Sequence, residues 1–122
     1  MTLKEMYQAF DGDYNDVMGR LPSESLVKKF VVKFLDDKSY QLLTDSLKNG
    51  ELETAFRAAH TLKGVCQNLS FTRLYESSHA ITESLRPGKL QPIDTINQQL
   101  ETVSKDYETT VSAIRSYIDQ DN

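Results

Sequence analysis

The longest periodic apolar pattern in the chain, from about 92 to 118, limits the possible folds more than any other segment. Its apolar residues recur at spacings of three and four, which places side chains along one face of an α-helix. They are Ile93, Ile96, Leu100, Val103, Tyr107, Val111, Ile114 and Ile118. At a rise of 1.5 Å per residue, the segment predicts an amphipathic helix of roughly 40 Å.

Other segments show the same helical spacing at 23–37, 51–69 and 71–86, and shorter helical pieces are predicted near the N-terminus and at 39–48. No segment alternates convincingly with a period of two, so no β-sheet is predicted. Short connections between helices favour antiparallel neighbours. We therefore predict an all-α fold, an up-down antiparallel four-helix bundle with short extra N-terminal helical segments. Residues 1–122 are expected to form a single domain, whose core helices are 23–37, 51–69, 71–86 and 92–118.

The composition argues against several classes of protein. Hydrophobic residues make up 39% of the chain and charged residues 26%, which is typical of a globular domain. A net charge of −4 argues against a nucleic-acid partner, whose binding protein would carry a basic patch. No apolar run approaches the roughly 20 residues that span a bilayer, and the first residues do not resemble a signal peptide. We therefore expect a cytoplasmic protein that does not bind membranes.

The segment from Ala58 to Leu69 is unusual for an exposed helix. A turn of about 100° per residue places small and apolar residues on one arc and directs His60 to the opposite side. Phe56, Lys63 and Gly64 are predicted to share that solvent-facing side with the histidine. Glycine inside an exposed helix costs roughly 1 kcal/mol relative to alanine, and an outward phenylalanine is a second departure. We interpret this face as a docking surface at which another molecule approaches the imidazole.

The order of residues from Ala59 to Gly64, Ala-His-Thr-Leu-Lys-Gly, resembles the signature of histidine-containing phosphotransfer (HPt) domains. In that signature, alanine, histidine, any residue, an aliphatic residue, lysine and glycine follow one another. The similarity continues through Asn68 and Leu69 into the following helix, and more loosely over most of the chain. Ser70 departs from the pattern, because many members carry a second glycine there. This departure concerns the shape of the turn and not the phosphate chemistry.

The resemblance implies a phosphorelay intermediate of a two-component signalling system. In such a protein, His60 would accept a phosphoryl group from a receiver-domain aspartate and pass it to another receiver domain. The implied partners are the receiver domains of a hybrid histidine kinase and of a response regulator. The resemblance implies no cofactor on this chain, since Mg²⁺ belongs to the partner receiver domain. It also implies a phosphoryl carrier with no kinase activity of its own, which we expect to be a monomer.

The residues around His60 suit this chemistry. An imidazole nitrogen attacks a phosphoryl donor and later hands the group on, and Lys63 places a flexible positive charge near the dianion. Gly64 removes the side chain that would crowd the ring. The predicted catalytic residues are therefore His60, the phosphoacceptor, and Lys63, with no metal site. The predicted partner-binding residues are Phe56, Arg57, Gly64 and Gln67.

Two other readings of His60 stay open at this point. Judged by spacing alone, an exposed histidine near a lysine is most often an ordinary surface residue. The other reading is a non-phosphorylated helical-bundle adaptor that binds a signalling partner through the His60 face. An adaptor has no need for His60 and Lys63 together. The other histidine, His79, is followed by Thr82 and Glu83, and a carboxylate would repel a phosphoryl group. Whether Thr82 or His79 orients the His60 ring is not decided by the sequence.

Overall fold

Residues 1–120 are described by a computed structural model, in which every regular element is an α-helix. The last two positions of the predicted domain 1–122 lie outside the described residues. The seven helices of the described part are α1 (Leu3–Ala9), α2 (Tyr14–Arg20), α3 (Glu24–Phe34), α4 (Ser39–Lys48), α5 (Leu52–Leu69), α6 (Thr72–Leu85) and α7 (Ile93–Gln120). The prediction of an all-α helical bundle is confirmed. No helix among residues 1–120 is both long enough and apolar enough to cross a membrane.

Helix α5 lies at the centre of the bundle. It packs most extensively against α6 and α4, and α6 packs in turn against α7. The connections are short, as expected for antiparallel neighbours. Gly50, with φ of +73°, makes the turn between α4 and α5 in a backbone region that favours glycine. The chain therefore folds back directly along the face of α4.

The structure reverses the predicted importance of α3 and α4 as packing partners of α5. The sequence predicts 23–37 as a long core helix and 39–48 as a lesser element, but α3 ends at Phe34 and makes fewer contacts with α5 than α4 does. The sequence prediction favours 23–37 because it is the longer of the two segments. Packing depends instead on which helix the connection to α5 brings alongside it, and that helix is α4. The other core helices agree with their predicted ranges to within two residues, which is the usual uncertainty of helix ends.

The predicted apolar stripe of the last helix is buried or partly buried except at its start. Ile96, Val103 and Ile114 are fully buried, whereas Ile93 is 59% exposed. Ile93 is the first residue of α7. Periodicity along one helix does not show where the adjacent helices end, so the exposure of Ile93 could not be predicted from spacing.

An aromatic cluster closes the bundle at the connection between α5 and α6. Phe71, in this connection, packs edge-on against Phe10 and Phe34, with ring centroids 5.0 and 5.1 Å apart. Tyr7 joins the cluster and donates a hydrogen bond to the carbonyl oxygen of Leu69 at 2.8 Å. The N-terminal helices thus hold the C-terminal end of α5 in place. The site face of α5 is anchored from this end.

Candidate functional site

His60 projects from a helix whose opposite face is completely buried. Ala55, Ala59 and Leu62 have no exposed surface, and Ala58 has almost none. Three alanines on this face leave little side chain between α5 and its neighbours, which brings the helices close together and limits movement of the α5 backbone. His60 itself is exposed, as predicted. The fold therefore presents the imidazole to solvent from a rigid support.

The imidazole of His60 has no hydrogen bond or ion pair with any residue between 1 and 120. Its one ring contact is with Phe56, whose ring centroid lies 6.1 Å away at an interplanar angle of 56°. Both ring nitrogens are consequently available to react. A lone pair on an unengaged ring nitrogen is the minimum requirement for nucleophilic attack.

Lys63 lies one helical turn after His60 and is partly buried. Its ammonium group contributes to the electrostatic environment of Glu83 on α6. The pKa of the Glu83 carboxyl is lowered from its ordinary value, first by the guanidinium of Arg86 and to a smaller extent by His79 and Lys63. Lys63 is therefore a cation one turn from the imidazole that also acts electrostatically on an acidic side chain of the neighbouring helix.

Gly64 has no internal reason to be glycine. A Cβ atom built at this position would meet no atom within 4 Å, and the backbone is ordinary α-helix. Alanine at the same position would be favoured by helix propensity. The space beside the imidazole is open to solvent, so the absence of a side chain is of use to an approaching molecule only.

The predicted exposure of Phe56 is wrong, because the residue is partly buried. The guanidinium carbon of Arg86 lies over its ring, 5.2 Å from the centroid, in a cation–π contact. Arg86 follows α6 immediately, and the antiparallel hairpin of α5 and α6 brings it opposite Phe56. A helical-wheel projection of α5 contains only α5 residues, so it cannot show that a side chain from the neighbouring hairpin arm covers Phe56.

Arg57 and Gln67, the remaining predicted partner-binding residues, are both exposed. Arg57 forms an ion pair with Glu53 one turn earlier, in which both side chains are more than two-thirds exposed. The carbonyl oxygen of Gln67 accepts a hydrogen bond from Arg20, which ties α2 to the end of α5. All six predicted site residues thus lie on α5, where His60, Arg57 and Gln67 are exposed and Gly64 is partly exposed.

Neither candidate for orienting the imidazole makes a hydrogen bond to it. Thr82 is buried and donates its hydroxyl proton to the carbonyl oxygen of Ser78 at 2.6 Å. His79 is exposed and stacks on Tyr75, with ring centroids 5.9 Å apart. Within the described residues, His60 is therefore oriented by its own helix and by Phe56.

Sequence reasoning missed Arg86 and Glu83 as neighbours of the site. The sequence does indicate that Arg86 lies near Phe56. In an αα-hairpin that turns near Ser70, residues at equal distances from the turn face each other, so their numbers sum to a nearly constant value. That rule places residue 86 opposite residue 56. Among residues 1–120, no group of three or more histidine, cysteine, aspartate or glutamate side chains is arranged to hold a metal ion.

A shallow apolar groove of about 360 Å³ borders the C-terminal half of the site helix. Val65 and Asn68 of α5 line one side of the groove, and Phe30 and Lys33 of α3 line the other. Phe30 is 39% exposed. Apolar surface is therefore accessible within two turns of Gly64.

A family model described as the Hpt domain matches residues 34–117, which is well over half of the chain. The matched range covers α4 to most of α7, with His60 and its neighbours inside it. No match to the chain was found among curated proteins or among solved structures.

Proposed function

The chain belongs to the Hpt domain family, and on this premise we propose that it carries a phosphoryl group on His60 from one receiver domain to another. Domains of this family act in phosphotransfer within two-component signalling. The observation that carries the assignment to His60 is its exposed imidazole, free of hydrogen bonds from the described residues and flanked by Lys63 and the open position Gly64.

The transfer step follows from the chemistry of imidazole. A ring nitrogen attacks the phosphorus of an aspartyl phosphate on the receiver. The new N–P bond forms as the P–O bond to the aspartyl oxygen breaks, and the aspartate leaves as a carboxylate with the bonding pair. Lys63 offsets negative charge on the phosphoryl oxygens during the transfer, since such reactions depend mainly on positioning and on charge stabilisation. The reverse sequence delivers the group to a second receiver.

The partners in this proposal are receiver domains, one from a hybrid histidine kinase and one from a response regulator. The catalytic aspartate and Mg²⁺ are supplied by the receiver, so this chain acts as a carrier without kinase activity of its own. Gly64 and Gln67 lie in the docking face, with Phe56 beneath Arg86 and the Arg57–Glu53 pair at its rim. We further propose that the protein acts as a cytoplasmic monomer.

The assignment is tested by incubating the protein with a phosphorylated receiver domain and following transfer of the label. We expect label on one histidine, stable in base and labile in acid, which is absent in His60→Gln and retained in the matched control His79→Gln. Undiminished labelling of His60→Gln would exclude His60 as the acceptor. Receiver binding without labelling of any variant would instead support the adaptor.

A further inference from the structure

A Glu–Arg pair at the end of α6 lies against the site helix. The Nε and Nη2 atoms of Arg86 both donate to the same oxygen of Glu83, at 3.2 and 2.6 Å. The pair is accessible, because the Arg86 side chain is 37% exposed and that of Glu83 is 47% exposed. Accessible ion pairs of this kind contribute little to stability, because solvent screens both charges. The pair can therefore open at little cost.

Arg86 contacts Phe56, the ring that in turn contacts the imidazole. Its guanidinium carbon lies 5.2 Å from the centroid of Phe56, and that ring lies 6.1 Å from the imidazole of His60. The guanidinium is carried on a long flexible side chain. Rotation about the bonds of that side chain moves the guanidinium across the face of Phe56, the ring that contacts His60.

The charge on a loaded histidine would favour this movement. A phosphoryl group carries about −1.5 to −2 charges near neutral pH and offers three acceptor oxygens, whereas the Glu83 carboxylate carries a single charge. Guanidinium groups bind such oxygens in bidentate fashion. Lys63 also helps to lower the pKa of Glu83, so Glu83 retains a cationic neighbour after Arg86 leaves.

We propose that Glu83 is the resting counter-ion of the phosphoryl site, which holds Arg86 against Phe56 while His60 is unmodified and releases it to the phosphoryl group when His60 is loaded. This inference rests on the proposed function. It adds Arg86 to Lys63 as a second phosphoryl-binding cation. It also makes Glu83 an acidic residue that opposes loading of the histidine.

Potassium phosphoramidate tests the inference without any receiver. In this reaction, a His60 ring nitrogen attacks the phosphorus, the N–P bond to the imidazole forms, and the phosphoramidate P–N bond breaks. Protonated by solvent, the leaving nitrogen departs as ammonia. A ³¹P spectrum, compared with that of His60→Gln, identifies the signal of the loaded residue.

Loading is expected to move the Nε–Hε signal of Arg86 in a ¹H–¹⁵N spectrum. The chain contains five arginines, and the signal of Arg115 on α7 serves as a reference in the same sample. In unloaded Glu83→Gln, the Arg86 signal should already differ from that of the unmodified protein, because its acceptor is lost. A purely structural role of the pair predicts the same Arg86 signal before and after loading.

The rates of loading give a second measurement. At low ionic strength, Glu83→Gln should be loaded about two- to five-fold faster, and Arg86→Gln slower by a similar factor. The matched control is Glu76→Gln, which makes the same charge change on α6 seven residues earlier, about 10 Å from Glu83. We expect its loading rate to stay near that of the unmodified protein.

An Arg86 signal that does not move, in a sample whose ³¹P spectrum shows a loaded His60, would overturn the inference. Equal acceleration by Glu83→Gln and Glu76→Gln would overturn it as well, since any loss of negative charge would then suffice. These results are independent of receiver transfer. Failure of a receiver to label His60 would reject the proposed function and leave the Arg86 measurement valid. An unmoved Arg86 signal would reject the inference and leave the proposed function standing.

Discussion

At the scale of single residues, the candidate site consists of an accessible imidazole with charges of both signs around it. Lys63 is one turn away on the same helix. Glu83 lies in the last turn of α6, and Arg86 is the residue that follows α6. None of these contacts is deeply buried, so each acts through charge and reach more than through packing. Substitutions here should therefore change phosphotransfer while leaving the free energy of unfolding nearly unchanged.

Lys63→Ala is expected to slow receiver-to-histidine transfer by about one to two orders of magnitude. The reason is the loss of a charge-assisted contact to the phosphoryl oxygens, worth about 1.5–3 kcal/mol. Rapid-quench single-turnover kinetics with a phosphorylated receiver measure the rate. Thermal unfolding provides the control and should be almost unaltered. A variant that transfers at the unmodified rate would remove Lys63 from the mechanism.

Gly64→Leu is expected to abolish transfer and at the same time to raise the free energy of unfolding by up to about 1 kcal/mol. A Cβ atom at this position meets no atom within 4 Å, and leucine improves helix propensity, but the longer side chain occupies the space that the partner needs. Transfer kinetics and denaturant unfolding are the two measurements. Gly19→Leu on α2, where a Cβ atom also meets nothing within 4 Å, is the matched control. Normal transfer by Gly64→Leu would contradict our explanation of the glycine.

At the scale of elements, the N-terminal helices determine how α5 ends. Ser70 has φ of 58° and ψ of 39°, the left-handed conformation that favours glycine. Its hydroxyl donates to the Asp16 carboxylate at 2.7 Å, and its carbonyl oxygen accepts from the amide of Asp13 at 2.8 Å. The serine that departs from the family pattern therefore keeps the turn conformation and adds a link to α2.

Comparison of Ser70→Gly with Ser70→Ala separates these two contributions. Both variants lose the hydroxyl, but alanine retains the cost of the left-handed backbone, so it should be less stable than glycine by about 1 kcal/mol. Denaturant unfolding near neutral pH measures the difference. Equal stability of the two variants would show that the backbone conformation relaxes.

The same hydroxyl makes stability depend on pH. The hydrogen bond from Ser70, and then the contacts with Arg20, hold the pKa of the Asp16 carboxyl below its ordinary value. A carboxyl whose pKa is lowered in the folded state stabilises the fold above the unfolded pKa of about 3.9 and loses that contribution as pH falls through the folded value. Ser70→Gly should therefore lose less stability than the unmodified protein on acidification below about pH 4. An NMR titration of Asp16 should show its pKa rising in the variant.

Gly12 is required where α1 meets the end of α5. A Cβ atom here would lie 2.6 Å from the Phe10 ring and 2.7 Å from the Tyr7 ring, both of which are buried in the aromatic cluster. Gly12→Ala should therefore lower the free energy of unfolding by about 1–3 kcal/mol, measured by denaturant unfolding. The control Gly19→Ala should leave stability unchanged or slightly higher. Equal effects of the two substitutions would show that the aromatic cluster adapts without cost.

At the scale of the whole molecule, the bundle is a support that holds one face of α5 towards solvent. The site face is flanked by α6 on one side and by the α3 groove on the other, and the N-terminal helices cover the end of the hairpin. The family match begins at residue 34, the last residue of α3, so α1, α2 and almost all of α3 lie before the matched range. These helices nevertheless supply Tyr7, Phe10 and Val27 to the core.

The sequence alone determined the helices, the outward direction of His60 and the neighbours His60 has along α5, because these depend on the local period of 3.6 residues. Only the tertiary structure decided that α4 packs along α5, that Phe56 is covered, and that Arg86 and Glu83 reach the site. Those features depend on the alignment of α5 with its neighbours, which arises from packing between residues far apart in the chain. The roles of His60, Lys63 and Gly64 in transfer stay predictions that the kinetic experiments test.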